Sequence, residues 1–559
     1  MGKRKTIVFV FTLLLVVLAG LVELTCAQLE PPLRAIVSCE GGEETIEIWY
    51  QSEDTCYLFL PSFADPAQIR LEGRALSGAS IDGQKLSRNI SCADFPMNKR
   101  LHLTYRQYGI RKEDNLFILQ SADVPTMYID TVSGSLDYIH EEKGNEEPGS
   151  LRLYHADGTL DCSAQIEAIN GRGNGTWDPE KKPYSVKLTT SEDLLGMGAA
   201  EKWILLANAY DDSNLRNKLA YDFAADVGAA YTPETRFVDL YVNGDYRGLY
   251  QLSERNEVHP QRVAIDEDGT FLITRDLLWR IELGDHPYIA TDRENYYRIH
   301  HQGMPFDELW NLWQSVENAI FAEDGIDPVS GKHWTELIDM DSWAQQFLFG
   351  EVFQNEDAGV LSLYFYYDKE SQKVVSGPIW DMDLTLNRRG ENLVNSILSS
   401  RQYTWNRSNE SILYHLYQKE EFHQRVIQMY FQEFRPLLQT LVDEGIDAYA
   451  GEIAMAAKLN NLRWGCMDAA ESTESMRLYL QERLSFLDRF WSEEDNYCYI
   501  EIFNYSQWRK LAVRRGDTAE FLGVVTQNPW YVLGTGELFD ITAPVTQDWI
   551  LEPQPVEET

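Results

Sequence analysis

Three aspartates are the residues of this chain best placed to do chemistry: Asp357, Asp381 and Asp383. Asp357 follows Asn355-Glu356 and precedes the aromatic run Leu363 to Tyr367; Asp381 and Asp383 close the run Val374 to Trp380. If that second run is extended to its end, residues two apart point the same way, so Asp381 and Asp383 share a side. A strand–turn–strand between Leu363 and Trp380 would bring Asp381 back towards Asp357. One carboxylate can then orient an acceptor hydroxyl while another holds Mg²⁺. Asp and Asn are also common at strand ends and turns, so the same residues read as solvated turn positions. The elements around them decide between the two.

Helical signals dominate on both sides of the acidic stretch. Leu309, Trp313, Val316 and Ile320 fall on one helical face, and Asp341 can cap a helix carrying Trp343, Phe347 and Leu348 that delivers the chain to Asn355. Leu413 to Leu441 and Met476 to Trp491 read as further amphipathic helices. Upstream, Met127 to Val132, Leu151 to His155 and Ala164 to Ile169 read as strands. Phe237 to Val242 and Tyr246 to Leu252 are strands joined through Asn243-Gly244, a strong hairpin signal. Between these sets lies Gly171-Arg172-Gly173-Asn174, in a loop whose glycines permit close backbone approach or positive φ. Lys187 stands on the strand that follows. By itself this reads equally as a long hairpin with a solvated lysine. Ser213 and Gly228 bracket a helix in which Leu215, Leu219, Phe223 and Val227 repeat every fourth residue.

Composition bounds the rest. The chain has 559 residues, 44% hydrophobic and 25% charged, enough for several domains and a large core. Its formal net charge of −39 argues against a nucleic-acid surface, which needs basic patches, and suits an extracellular protein kept soluble by self-repulsion. Residues 1–27 read as a signal peptide: Lys3, Arg4 and Lys5, an apolar run Ile7 to Val22, then Thr25-Cys26-Ala27. The alternative is a retained anchor, so a membrane enters only through an uncleaved leader. Six cysteines follow Ala27, none in a Cys-x-x-Cys pair, which disfavours zinc; an exported chain permits disulfides, and Cys466–Cys498 is the expected pair. Residues 28–123 read as a β-rich sandwich-like domain with no chemical constellation, carrying a sequon at Asn89. Residues 496–559 read as a β-rich module with a disordered tail.

Read together, Gly171 to Trp177, Lys182 to Lys187, Leu195 to Gly198, Trp203 to Asn208, Leu215 to Tyr221, Phe237 to Tyr250 and Trp380 to Asp383 resemble, in order, the CotH family of spore-coat-protein-H-like kinases. The resemblance spans 124–495. It implies an atypical protein-kinase fold, α+β, with a β-rich N-lobe and a helical C-lobe, using ATP and Mg²⁺ or Mn²⁺ on bacterial proteins exported or held at the surface. On that resemblance Asp357 takes the catalytic role, with Lys187 positioning phosphates. Asp381 is the metal ligand, and Asp383 adds to it. Gly171, Arg172, Gly173, Asn174, Arg216 and Glu254 fall on the cofactor side, Glu254 where a hinge would meet adenine. The helix after Ser213 takes the place of the kinase αC helix, and Asp222 pairs either with Lys187 across the site or with Lys218 on its own helix. No asparagine follows Asp357 at the usual distance; Ser362 stands near that place. The C-terminal stretch from Trp530 to Leu551 is similar to surface-protein β-repeats of Gram-positive bacteria. The acceptor implied is a protein of the cell or spore surface. A non-catalytic adhesin or scaffold on the same fold is the competing expectation. A glycan-binding role drawn from the 15 tryptophans comes last, because Trp313 and Trp343 sit at helical core spacing.

Overall fold

The computed structural model describes residues 31–74, 77–86, 90–388, 393–399, 410–504, 507–526 and 528–553. The expected leader, the sequon asparagine Asn89 and the C-terminal tail lie outside the described residues. The fold is mixed α+β, as expected, with several sheets and a helix-rich second half. The chain divides into two compact units, neither contiguous in sequence: one takes residues up to Ala207, Arg236–Leu252 and Glu452–Met467, and the other Asn208–Thr235, Ser253–Gly451 and Asp468–Thr559.

The first unit is β-rich. A three-stranded sheet orders Gly42–Glu47, Leu33–Cys39 and Arg70–Gly73, and a six-stranded sheet is built around Thr55–Leu60, Ile110–Gln120 and Arg100–Gln107. Alternate residues such as Leu101, Leu103, Leu116 and Ile118 point inward and are buried in one core. That core also takes Tyr128, Tyr154, Tyr241 and Tyr246, which belong to a closed barrel in the same unit. The barrel runs through Thr126–Thr131, Glu146–Tyr154, Leu160–Gly171, Tyr184–Asp193, Ala199–Leu206, Asp245–Glu254 and Thr235–Val242, and closes by parallel pairing of Met127 with Leu240. Asn243 and Gly244 both have positive φ, +51° and +83°, the geometry that the two-residue hairpin requires. The helical residues Asn460 and Trp464 hold the strand after that turn: Asn460 Oδ1 accepts from the Leu249 amide at 3.2 Å, and the Trp464 indole donates to the Arg247 carbonyl at 2.9 Å.

In the second unit a five-stranded antiparallel sheet orders Tyr288–Ala290, Tyr296–Gln302, Phe271–Arg275, Tyr364–Asp368 and Lys373–Ser376. Its inner face buries Tyr297 and Phe365 against Trp313 of the helix Phe306–Phe321 and Trp343 of the helix Met340–Val352, with ring centroids 4.6–4.8 Å apart. The expected stripe of Leu309, Trp313, Val316 and Ile320 is fully buried. Asp339, two residues before the expected Asp341, caps the second of these helices by accepting from the Ser342 amide at 2.9 Å; Asp341 instead pairs with Arg425 at 2.6 Å. Arg483 and Glu351, both fully buried, form an ion pair at 2.6 Å. Glu351 also accepts from the Leu398 and Ser399 amides, and Arg483 donates to the Ser396 carbonyl. This pair pins Ser396–Ile397, the edge strand of a second five-stranded sheet with Gln507–Arg514, Tyr497–Asn504, Trp549–Pro553 and Trp530–Val532. The β-rich end of the chain is therefore not a free-standing module, since its sheet recruits a strand from about a hundred residues upstream.

The expected Cys466–Cys498 disulfide is absent: none of the six described cysteines forms a disulfide. Cys498 is buried in the core of the C-terminal sheet, and Cys56 and Cys92 are buried in the first unit's core, where they pack as small apolar groups. Burial pushes the Cys92 thiol up to about 12, far from a reactive thiolate. Among the described residues no helix is long and apolar enough to cross a membrane.

Candidate active site

The loop 380–385 is where the expected aspartates meet. It follows the hairpin Tyr364–Asp368 and Lys373–Ser376, whose pairing (Phe365 with Ser376, Tyr366 with Val375) returns the chain as the sequence predicts. The strand ends at Ser376, however, and Asp381 adopts a left-handed φ of +64°. Asp381 and Asp383 are thus not alternate residues of an extended strand. The left-handed residue, tolerable for Asp, turns the chain so that Asp383 goes inside while Asp381 stays half-buried.

The helix Arg216–Asp226 holds this loop. Asn217 Oδ1 accepts from the Met382 amide at 2.9 Å, the Tyr221 hydroxyl accepts from the Asp381 amide at 3.2 Å, and Arg216 Nε donates to the Thr385 carbonyl at 2.9 Å. Trp380 stacks on Tyr221, centroids 5.7 Å apart. The helix begins at Arg216, not after Ser213, because Asp211 supplies the capping carboxylate: it accepts from the Arg216 amide at 2.8 Å and from the Ser213 amide at 3.1 Å. Gly228 stops the helix as expected, at φ +71°. Asp357 sits in the turn after Met340–Val352, its amide donating to Asn355 Oδ1 at 3.0 Å; the Asn355 side-chain amide reaches Met382 Sδ at 3.3 Å. Ser362 donates to Asp381 Oδ2 at 2.8 Å.

Electrostatics single out Asp383. Burial first, then the neighbouring charges of Asp381, Asp357 and Asp211, push its carboxyl up to about 8, with Arg388 opposing. Four carboxylates therefore share one field. Sequence reasoning named three of them and missed Asp211, with Asn217 and Tyr221; the only signal was an Asp just ahead of a helix stripe. Hard oxygen donors in a field this negative fit a divalent cation of the Mg²⁺ or Mn²⁺ class. Among the described residues, no three His, Cys, Asp or Glu side chains converge closely enough to hold a metal by themselves.

Other expected residues belong to the other compact unit or are already engaged. Lys187 faces outward on the barrel, its side chain 39% exposed, and pairs with Glu167 at 2.7 Å; the inward positions of its strand are Tyr184, Val186 and Leu188. Asp222 takes Lys218 at 2.6 Å and the Tyr449 hydroxyl at 2.7 Å, so the expected Lys187–Asp222 pair gives way to the local one. Arg216 is buried and committed to Asp211 and Thr385, leaving no fork for a phosphate. Glu254 is buried too, bound to Arg262 at 2.5 Å and to the Glu234 amide at 2.9 Å. Gly171 lies against Trp177, where an added Cβ would fall 2.2 Å from the ring. At Gly173 a Cβ would fall 2.0 Å from the Thr176 hydroxyl. The Arg172 amide donates to the Pro183 carbonyl at 3.2 Å. Lys143 bonds the Gly173 carbonyl and, at 3.4 Å, Asn174. These residues shape a tight loop.

A family model described as CotH kinase protein matches residues 169–487, more than half of the chain. The chain belongs to this family. The CotH match begins at the end of the barrel strand Leu160–Gly171 and closes inside the helix Ala469–Ser492, so it holds all four aspartates and the helix that anchors their loop. The first β-rich sheets and most of the C-terminal sheet fall outside it. The C-terminal similarity to surface β-repeats has no counterpart in the family match. A search of curated proteins found no match.

Proposed function

We propose that this CotH-family chain is an exported or surface-held bacterial protein kinase of two-lobed, atypical kinase architecture that transfers the γ-phosphoryl of ATP to a protein hydroxyl. The observation carrying the reading is the buried Asp383 beside Asp381, Asp357 and Asp211, a crowding of acidic groups that keeps Asp383 protonated until a cation takes the place of the proton. Asp381 and Asp383 would hold Mg²⁺ or Mn²⁺, with the remaining coordination positions filled by phosphate oxygens and water, as Mg²⁺ prefers. Bound there, the metal neutralises charge on the phosphates. Asp357 orients the acceptor hydroxyl and takes its proton; the new oxygen–phosphorus bond forms as the bond to the β-phosphate oxygen breaks and ADP leaves with the electron pair. Ser362 fixes the Asp381 carboxylate, and Asn217 and Tyr221 fix its backbone. Lys187 has no part in this reading.

One observation favours the scaffold alternative: both expected phosphate-side cations, Lys187 and Arg216, already have carboxylate partners. Titration of the full chain with ATP and Mn²⁺, followed by intact-mass measurement, separates the two. The kinase reading expects saturable metal-dependent binding and added phosphate. Absence of nucleotide binding with either metal hands the chain to the scaffold reading.

A further inference from the structure

The outer face of the five-stranded sheet carries cations that nothing in the acidic loop uses. Across three strands, Arg298 pairs with Thr274, and Thr274 pairs with Tyr364, so their side chains stand in one row on one face. His300, two residues on, lies on the same face: its Nε2 is 2.6 Å from the Thr274 hydroxyl and its ring 5.3 Å from that of Tyr364. The opposite face is the one filled by Tyr297 and Trp313; this face carries a smaller apolar cluster, in which Leu272, Tyr364, Tyr366 and Val375 pack with Val263 and Trp380, and the cationic row stands at its margin. Arg255, on the segment after Glu254, lies within electrostatic range of both Arg298 and His300. Among the described residues neither Arg255 nor Arg298 has an ion pair or a side-chain hydrogen bond.

Two cations side by side at the margin of an apolar cluster are an expensive arrangement without a counter-charge. Arg298 and Arg255 repel one another, and partial burial removes the water that would compensate them. His300 is kept neutral by burial and by the same two arginines, with its pKa down to about 3, so it adds a polar atom without adding charge. Among the described residues the carboxylate acting on Arg298 is Asp276, which already accepts from the Leu277 amide at 2.8 Å and lies 3.9 Å from Arg280. Asp276 also feels Asp381. The cationic row therefore ends beside the aspartate loop, within the same compact unit.

We propose that Arg298 and Arg255, floored by Thr274 and His300, form a subsite for a phosphate-class oxyanion next to the Asp381 loop. Guanidinium groups suit this ligand because their planar forks donate paired hydrogen bonds to phosphate. The oxyanion has two possible sources, the phosphate tail of a nucleotide or a phosphorylated residue of the acceptor protein. The choice of source rests on the kinase reading; the subsite itself does not.

The test uses the full chain, metal-free in EDTA, with inorganic pyrophosphate as probe. Calorimetric binding and a rise in Tm are expected for the wild type. Arg298→Gln combined with Arg255→Gln should weaken pyrophosphate about tenfold or more, the scale of losing charged hydrogen bonds. Arg298→Lys should retain part of the binding, since it keeps the charge and loses the fork. Without ligand, the double variant should melt at or above the wild-type temperature, because it removes the repulsion between two neighbouring cations; this doubles as the folding control. ATP, adenosine and a phosphoserine peptide then name the source. Weakening of ATP but not adenosine assigns the nucleotide tail, and weakening of the phosphopeptide alone assigns the acceptor. If the wild type binds no nucleotide yet binds pyrophosphate through Arg298, the kinase reading fails and the subsite stands. Pyrophosphate that does not bind the wild type, or binds the double variant equally well, overturns the proposal.

Discussion

Asp381 accepts a hydrogen bond from Ser362 and makes no core contact that its charge sustains, so Asp381→Asn should leave Tm within a few degrees of wild type. Phosphoryl transfer should fall by about a hundredfold or more, as expected when a metal ligand is lost at a phosphoryl-transfer site. Asp357→Asn should instead keep metal-dependent nucleotide binding while losing transfer; nucleotide titration and radiolabelled transfer on the same preparations separate the two. Equal loss of binding in both variants would show that the roles are wrongly divided. Asp is common at strand ends and turns, so these aspartates were legible in the sequence only together with the ordered motifs from Gly171 to Asp383. Their supports were not. Asn217 and Tyr221 reach the loop from 165 and 160 residues upstream, and no local pattern marks a side chain for a partner that distant. Lys187 stands on the strand read from the sequence, on its outward face and paired with Glu167, while the inward face belongs to Tyr184, Val186 and Leu188.

Elements were read best where the signal was local. The Asn243-Gly244 turn and the Leu309 to Ile320 stripe stand as expected, whereas two helix starts, at Ser213 and Asp341, were off by two or three residues, since several capping side chains compete within one turn. The sheet that gathers Ser396–Ile397 with the C-terminal strands could not be read locally, because strand pairing is a long-range choice. Its anchor, Glu351 with Arg483, is fully buried, so Glu351→Ala would strand a guanidinium and free two amides. A loss of about 3–5 kcal/mol in urea unfolding is expected. In the barrel strand Thr235–Val242, Asp239 is fully buried and accepts from Tyr246 at 2.8 Å, and burial lifts its carboxyl to about 6. Its folded pKa lies above its unfolded value of 3.8, so the folded state holds the proton longer. Stability from this group is full below about pH 4. It declines as pH rises through about 6, by on the order of 2–3 kcal/mol. Asp239→Asn should flatten that slope in melting curves recorded from pH 4 to 7; an unchanged slope would sink the assignment.

At the scale of the molecule, the net charge of −39 sets a background repulsion that salt screens. Raising NaCl from about 0.02 to 0.2 M should raise Tm by a few degrees, and Mg²⁺ at equal ionic strength should raise it further if the aspartate loop binds the ion; sodium and magnesium giving the same curve would count against that loop as a cation site. Composition made this charge plain, but the sequence could not reveal how the chain is partitioned, because its motifs run in order while its compact units do not. The β-rich unit takes residues up to Ala207, then Arg236–Leu252, then Glu452–Met467. For a chain emerging vectorially from a ribosome at roughly 5–20 residues per second, that order imposes a wait. The strand Asp245–Glu254 arrives early, yet Asn460 and Trp464, which bond its Leu249 and Arg247, are made some two hundred residues later. Until then the barrel lacks its last partners and its backbone donors and acceptors there stay open to solvent or to a holding chaperone. Synthesis stopped before Glu452 would release a nascent β-unit unfinished at that strand, however complete its own sheets.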